Sequence, residues 1–221
     1  CVDKVMHAGT RSHVYRVTRE DRDGHWILKT PSENFSEDAE YLDAFIREQW
    51  VGRRLDHPGV MKIYSQEKID SPFLYHICEY IEGQTLRQWI FDHPQASLEA
   101  VRDIVEQIIA AMRALQRMSM VHRDLKPENI ILTKDNKIKI IDFGTVQVSG
   151  LEEIASPLTE SCPVGAVDYI APEYLLGEKG QFRSDIFSLG VIVYEMLTGA
   201  LPYKKPRVQR NSERSYDLWQ Y

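Results

Sequence analysis

Between Glu82 and Thr85 the hydrophobic period of the chain changes, and that change decides the fold class. Upstream lie short runs rich in β-branched and aromatic residues: SHVYRVT (12–18), HWILK (25–29), VMKIYSQEK (60–68) and FLYHICEY (73–80). They read as strands, the first two joined by the turn DRDG (21–24), which Gly24 ends. One helix interrupts them, from about Ser36 to Leu55. Ser36 is its expected cap, with Glu37, Asp38 and Glu40 at the positive end of its dipole. Downstream the period is helical. Val101, Ile104, Val105, Ile108, Met112 and Leu115 share one face of 97–118. SDIFSLGVIVYEMLTG (184–199) is apolar nearly all round and predicts a buried helix, stopped by Gly199 and Pro202. NIILT and KIKIID flank KDN as a small hairpin. The expected architecture is α+β: a β-rich amino-terminal lobe with one helix, a joint near 79–83, and a mainly helical carboxy-terminal lobe.

Composition narrows the function classes. The chain has 221 residues, 43% of them hydrophobic, enough for one large core or two small lobes. With 27 Lys+Arg against 33 Asp+Glu, a net charge of −6, it has no basic stripe for nucleic acid. Its apolar runs are too short for a membrane span, and no signal peptide is evident. Cys1, Cys78 and Cys162 have no metal-ligand spacing and fit a reducing, cytoplasmic setting. The first residue is not Met, so the chain reads as a piece of a longer protein.

The octapeptide HRDLKPEN (122–129) is charge-rich. Alone it is as readily a solvated surface loop as half of an active site. Thirteen residues after Asn129 lies Asp142, in IIDFG, delivered by the strand KIKII to the end of the hairpin. Asp124, Asn129 and Asp142 can then converge, and two carboxylates with an amide oxygen suit Mg²⁺ bridging phosphates. Upstream, Lys29 ends a strand of apolar and aromatic neighbours and needs a partner. Tyr41, Phe45, Glu48, Gly52 and Leu55 form one helix face on which Glu48 is the only charge. Glu48 either snorkels at the helix edge or pairs with Lys29; pairing accounts for both charges.

Lys29, Glu48, HRDLKPEN, DFG (142–144), APE (171–173) and SDIFSLG (184–190) stand in the order of a eukaryotic-like serine/threonine protein kinase of bacterial type. The chain resembles that family along its whole length. The resemblance implies a bilobal protein-kinase-like fold: an N-lobe over 1–78 with one regulatory helix, a hinge at 79–83, and a mainly α-helical C-lobe over 84–221, C-terminally truncated by some helices. It implies transfer of the γ-phosphate of ATP to Ser/Thr hydroxyls of protein substrates, with Mg²⁺, or Mn²⁺ in its place. Asp124 would orient the substrate hydroxyl and accept its proton. Lys126 would neutralise the transferring phosphoryl, and Asn129 and Asp142 would hold the metal. Lys29, held by Glu48, would grip the phosphates. Cys78 would be the gatekeeper. The backbones of Glu79 and Ile81 would meet the adenine, with Val14 above it and Ile131 below, and Gly9 would belong to the phosphate loop. Phe143 would pack near Gly52, and Asp185 would anchor the catalytic loop.

Several positions depart from the family pattern. HAGTRSHV (7–14) keeps only Gly9 of the usual glycines, with His7 and Ser12 at the others, which should weaken the grip on phosphate. Ile27 stands where Ala is usual, and Ala166 where a Thr hydroxyl links the catalytic Asp and Lys; losing that bond predicts a slower enzyme, by about 1–3 kcal/mol. Ser149, Ser156, Thr159 and Ser161 are phosphorylation candidates, and Arg123 is the residue to receive such a phosphate, since Ala44 and Gln147 occupy other positions that often supply basic partners. Arg207, Arg210 and Arg214 lie too early for the Arg that usually pairs with the Glu of APE, here Glu173. ILKTP (27–31) and the DLWQY end look similar to bacterial kinases fused to a metal-dependent phosphatase, a domain that would lie outside this chain. The alternatives are a pseudokinase acting as a nucleotide-binding or scaffold module, favoured by His7, Ser12, Ile27 and Ala166, and a small-molecule phosphotransferase, opposed by the APE segment. The negative charge favours basic substrates at low salt.

Overall fold

The computed structural model describes residues 1–20, 22–35, 38–64, 73–148, 168–175, 178 and 180–203. Its amino-terminal part is a five-stranded sheet of order β1-β2-β3-β5-β4, antiparallel throughout. The strands are β1 (Val2–Ala8), β2 (Ser12–Arg19), β3 (Arg22–Pro31), β4 (Ile63–Tyr64) and β5 (His76–Glu79). Helix α1 (Ala39–Gly52) crosses between β3 and β4. β1 was not expected. Every one of its residues is exposed, so it carries no inside–outside alternation. The first hairpin is tighter than DRDG implied: Arg19 faces Arg22, and Gly24, at φ 122°, sits inside β3 where the register slips.

Helix α1 starts later and ends earlier than its apolar spacing predicts. Asp38 caps it, its carboxylate accepting the Tyr41 N–H at 3.0 Å from extended backbone. Ser36 and Glu37 lie outside the described residues. The helix stops at Gly52, where the Ile63 side chain of β4 closes in: a Cβ on Gly52 would stand 2.3 Å from Ile63 Cδ1. The missing side chain at Gly52 therefore admits Ile63.

The chain turns helical after Thr85. β6 (Gly83–Thr85) leads into α2 (Leu86–Asp92), capped by Thr85, and then α3 (Leu98–Arg117), capped by Ser97. β7 (Met120–Val121) pairs with β10 (Gln147–Val148). β8 (Ile130–Thr133) and β9 (Ile138–Ile140) form the expected hairpin and join β6 in a second sheet. α4 (Pro172–Leu175) and α5 (Phe182–Thr198) follow, α5 ending at Gly199 in the left-handed region, φ 71°. The core below the first sheet gathers Leu86, Ile108, Ala111, Leu115, Ile130, Ile140, Phe143 and Ile192.

Helix α5 is not buried all round. Ile186, Tyr194 and Leu197 are 47%, 44% and 42% exposed, while Ser184, Asp185, Ser188 and Glu195 are buried. The polar residues face inward because they tie down loops of the active-site region. No helix among the described residues is long and apolar enough to cross a membrane.

Candidate active site

Lys29 stands near the end of β3. Its ammonium donates to both oxygens of Glu48, each at 2.8 Å, and to Asp142 Oδ1 at 3.4 Å. Helix α1 puts Phe45 and Glu48 on its inward face, both 2% exposed. Burial pushes the Glu48 carboxyl up and Lys29 pulls it back down. Burial alone would push Lys29 down, but the carboxylates of Glu48 and Asp142 outweigh it and hold the ammonium above its usual range. Asp142 is held below the usual carboxylate range, first by Lys29. Neither charge at the centre of the cluster is buried alone.

The octapeptide forms the other half. Asp185 of α5 accepts the N–H groups of His122 at 2.8 Å and Arg123 at 2.9 Å. Those two bonds hold a strained backbone, because Arg123 has φ 68°. Lys126 Nζ lies 2.6 Å from Asp124 Oδ2, and Asn129 Nδ2 donates to the same oxygen at 3.1 Å and to the Asp124 carbonyl at 2.9 Å. The 3₁₀ turn Pro127–Asn129 makes this approach possible, and the Asn129 carbonyl accepts the Ile141 N–H at 2.9 Å. That bond brings the hairpin end, and so Asp142, beside Asn129. Asp142 has φ 65°, with its side chain 46% exposed, open enough to meet a ligand. Among the described residues no group of three or more His, Cys, Asp or Glu could hold a metal. Asn129 and Asp142 are the oxygen donors that could hold a divalent cation, a sparse set of the kind that phosphate oxygens and water complete.

The remaining expected residues lie on the two sheets, on the joint between them and on the β1–β2 turn. Val14 faces Lys29 in register across β2 and β3. Ile131 pairs with Thr85 and Lys139 in the second sheet and is partly buried, as are Ile27 and Ile81. Cys78 is buried, and burial pushes its thiol up to about 12, so it is an inert lining residue. The Glu79 N–H donates to the Lys62 carbonyl at 3.0 Å. Gly9 N–H closes its turn onto the Ser12 carbonyl at 3.0 Å. Phe143 is fully buried, edge-on to His122 at 6.1 Å between ring centres. Arg123, expected to receive a phosphate, donates from Nε to the Thr145 carbonyl at 2.6 Å. Ser149, Ser156, Thr159, Ser161, Ala166, Arg207, Arg210 and Arg214 lie outside the described residues. Glu173 accepts the Ser184 hydroxyl at 2.6 Å and stands 3.9 Å from Arg183 Nε.

Three contributors escaped the sequence reading. His76, on β5 opposite Lys29, is fully buried and stacks on Phe45 at 3.8 Å, with Nδ1 4.0 Å from Glu48 Oε2. Burial, then Lys29, pushes its pKa down to about 3, so the ring is neutral. Lys139 of β9 pairs with Glu79 at 2.6 Å and ties the joint to the second sheet. Arg87 of α2 donates to Glu128 at 2.8 Å, to Glu195 at 2.6 Å and to the Tyr169 hydroxyl, which itself donates to Glu195 at 2.5 Å. His76 and Lys139 each stood as one polar residue between apolar neighbours, FLYHICEY and KIKII, while Arg87, beside Gln88, carried no such signal.

The family model for the protein kinase domain matches residues 2–219. A probable serine/threonine-protein kinase of Clostridium acetobutylicum is 31% identical over 91% of this chain. The serine/threonine-protein kinases PrkC of Bacillus subtilis and PknL of Mycobacterium tuberculosis are each 32% identical over 90% of it. The chain spans 30% of the length of the first two relatives and 49% of the third.

Proposed function

The chain belongs to the protein kinase family, and on that premise we propose that it transfers the γ-phosphoryl group of ATP to Ser or Thr hydroxyls of protein substrates. The observation that carries this reading is the meeting of two clusters: Lys29 bound to Glu48 and Asp142, and Asp124 bound to Lys126 and Asn129. Lys29 binds phosphate oxygens, and Glu48 fixes its direction. Asp124 orients the attacking hydroxyl and accepts its proton. Lys126, already 2.6 Å from Asp124, sets a positive charge where the transferring group becomes most negative. Asn129 and Asp142 would hold Mg²⁺, with Mn²⁺ as a substitute; when bound, the ion neutralises phosphate charge. The scaffold alternative gains no support, since Lys29, Asp124, Asn129 and Asp142 are all in place.

On this reading residues 1–78 form the N-lobe, 79–83 the hinge and 84–221 the C-lobe, and the domain works in the cytoplasm, where ATP and protein substrates are. A fused metal-dependent phosphatase elsewhere in the full-length protein stays part of the proposal, and the full-length reading frame tests it. The activity test is transfer of labelled γ-phosphate from Mg·ATP to the protein itself and to a generic Ser/Thr substrate, with Asp124→Asn alongside. Transfer that disappears in the variant supports the reading. Folded protein without transfer sinks it.

A further inference from the structure

The turn between β1 and β2 has lost the glycines that would let its backbone approach phosphate, yet it is pinned from outside. Ser32, the first residue after β3, is 3% exposed. Its N–H donates to the Arg11 carbonyl at 2.9 Å, and its hydroxyl donates to the Thr10 carbonyl at 2.5 Å. Two successive carbonyls are thus drawn to one side of the turn. No peptide bond among the described residues is cis. In a trans peptide the N–H points opposite to the C=O. The N–H groups of Arg11 and Ser12 therefore point together away from Ser32, and that of Arg11 has no partner among the described residues. Paired N–H groups on one side of a turn favour an anion. The Arg11 guanidinium is held back over the Phe35 ring, 5.8 Å from its centre, and does not fold over the turn. Val14 faces Lys29 and Ser12 faces Pro31, so the turn continues directly beyond the strand pair that carries the phosphate-binding lysine.

We propose that Ser32 is a positioning residue for nucleotide phosphate: by clamping the Thr10 and Arg11 carbonyls it aims the Arg11 and Ser12 N–H groups at the phosphates, in place of the missing glycines. This rests on the kinase reading above. Ser32 touches no nucleotide itself; it acts through the turn. The test is equilibrium binding of Mg·ADP and of adenosine to the wild-type protein, Ser32→Ala and Ser32→Thr. Adenosine lacks phosphate and reports the rest of the site. Ser32→Ala should weaken Mg·ADP by about tenfold, the worth of one hydrogen bond to an orienting group. Adenosine affinity should stay within about twofold, and Ser32→Thr, which keeps the hydroxyl, should restore most of the loss. Unchanged Mg·ADP affinity in Ser32→Ala would overturn the proposal. So would equal weakening of both ligands, which marks Ser32 as merely structural. Wild-type protein that binds neither ligand would overturn the nucleotide reading itself, a result distinct from either.

Discussion

Replacing His76 by phenylalanine should remove a specific acid sensitivity from this fold. The imidazole is fully buried against Phe45, and its pKa is pushed down to about 3 from an ordinary 6.5. The charged groups beside it are Lys29, which opposes protonation, and Glu48, whose nearer oxygen is 4.0 Å from Nδ1. In the unfolded chain the ring titrates normally. Between the two values the unfolded state binds more protons than the folded one, so stability rises with pH there. The contribution is intact above about pH 6.5 and is lost as pH falls toward 3. At pH 5 the unfolded ring is nearly all charged while the buried ring is neutral, a loss of about 2 kcal/mol relative to pH 7. Phenylalanine keeps the stacking and removes the titration. The assay is urea unfolding of both proteins at pH 7 and pH 5, at fixed ionic strength, followed by tryptophan fluorescence. The wild type should lose about 2 kcal/mol more than the variant, because Glu48, Asp142 and Asp185 titrate in both and largely cancel. Equal losses would refute the argument and place a proton on the native ring, shared with Glu48.

Two further outcomes follow from packing and anchoring. Gly52→Ala should destabilise by about 1–3 kcal/mol despite the better helix former, because the new methyl meets Ile63, and the same substitution should cost less when made in an Ile63→Val background, read from thermal midpoints around the double-mutant cycle. Asp185→Asn should cut phosphoryl transfer by tenfold or more while Mg·ADP binding changes little, since the amide keeps one acceptor oxygen and turns an NH2 donor toward the other of the His122 and Arg123 N–H groups; equal effects on both readouts would count against its role as anchor of the octapeptide.

The Lys29–Glu48 pair was legible because each residue is a lone charge in an apolar setting, one on a strand and one on a helix face, and a buried charge demands its opposite. Helix α3 was legible from its spacing, and the β8–β9 hairpin from its turn. β1 was not, because a strand exposed on both faces has no pattern to read. Helix α5 was misread for the converse reason. Its polar residues are the inward ones: Asp185 holds the octapeptide, Ser188 donates to the Tyr169 carbonyl at 2.7 Å, and Glu195 meets Arg87. Hydrophobicity cannot rank such faces. Arg87 shows the limit most clearly, since its partners come from three segments distant in sequence. The departures at 149–166 bear on residues outside those described.

The candidate active centre is assembled from pieces made far apart in time. Lys29 and Glu48 are separated by 19 residues, Lys29 and Asp142 by 113, and the octapeptide and Asp185 by 63. At a synthesis rate of roughly 5–20 residues per second, Lys29 leaves the ribosome on the order of ten seconds before Asp142 exists. Glu48 is then its only carboxylate partner of the final pair, so the sheet and α1 can set up half of the centre early. The octapeptide cannot. With Arg123 and Asp142 in costly left-handed backbone and the anchor Asp185 still unmade, HRDLKPEN leaves the ribosome as an ordinary flexible loop. On the proposed function, phosphoryl transfer would be a late event in the life of the nascent chain, and a partly made domain would carry its candidate catalytic residues without the geometry to use them.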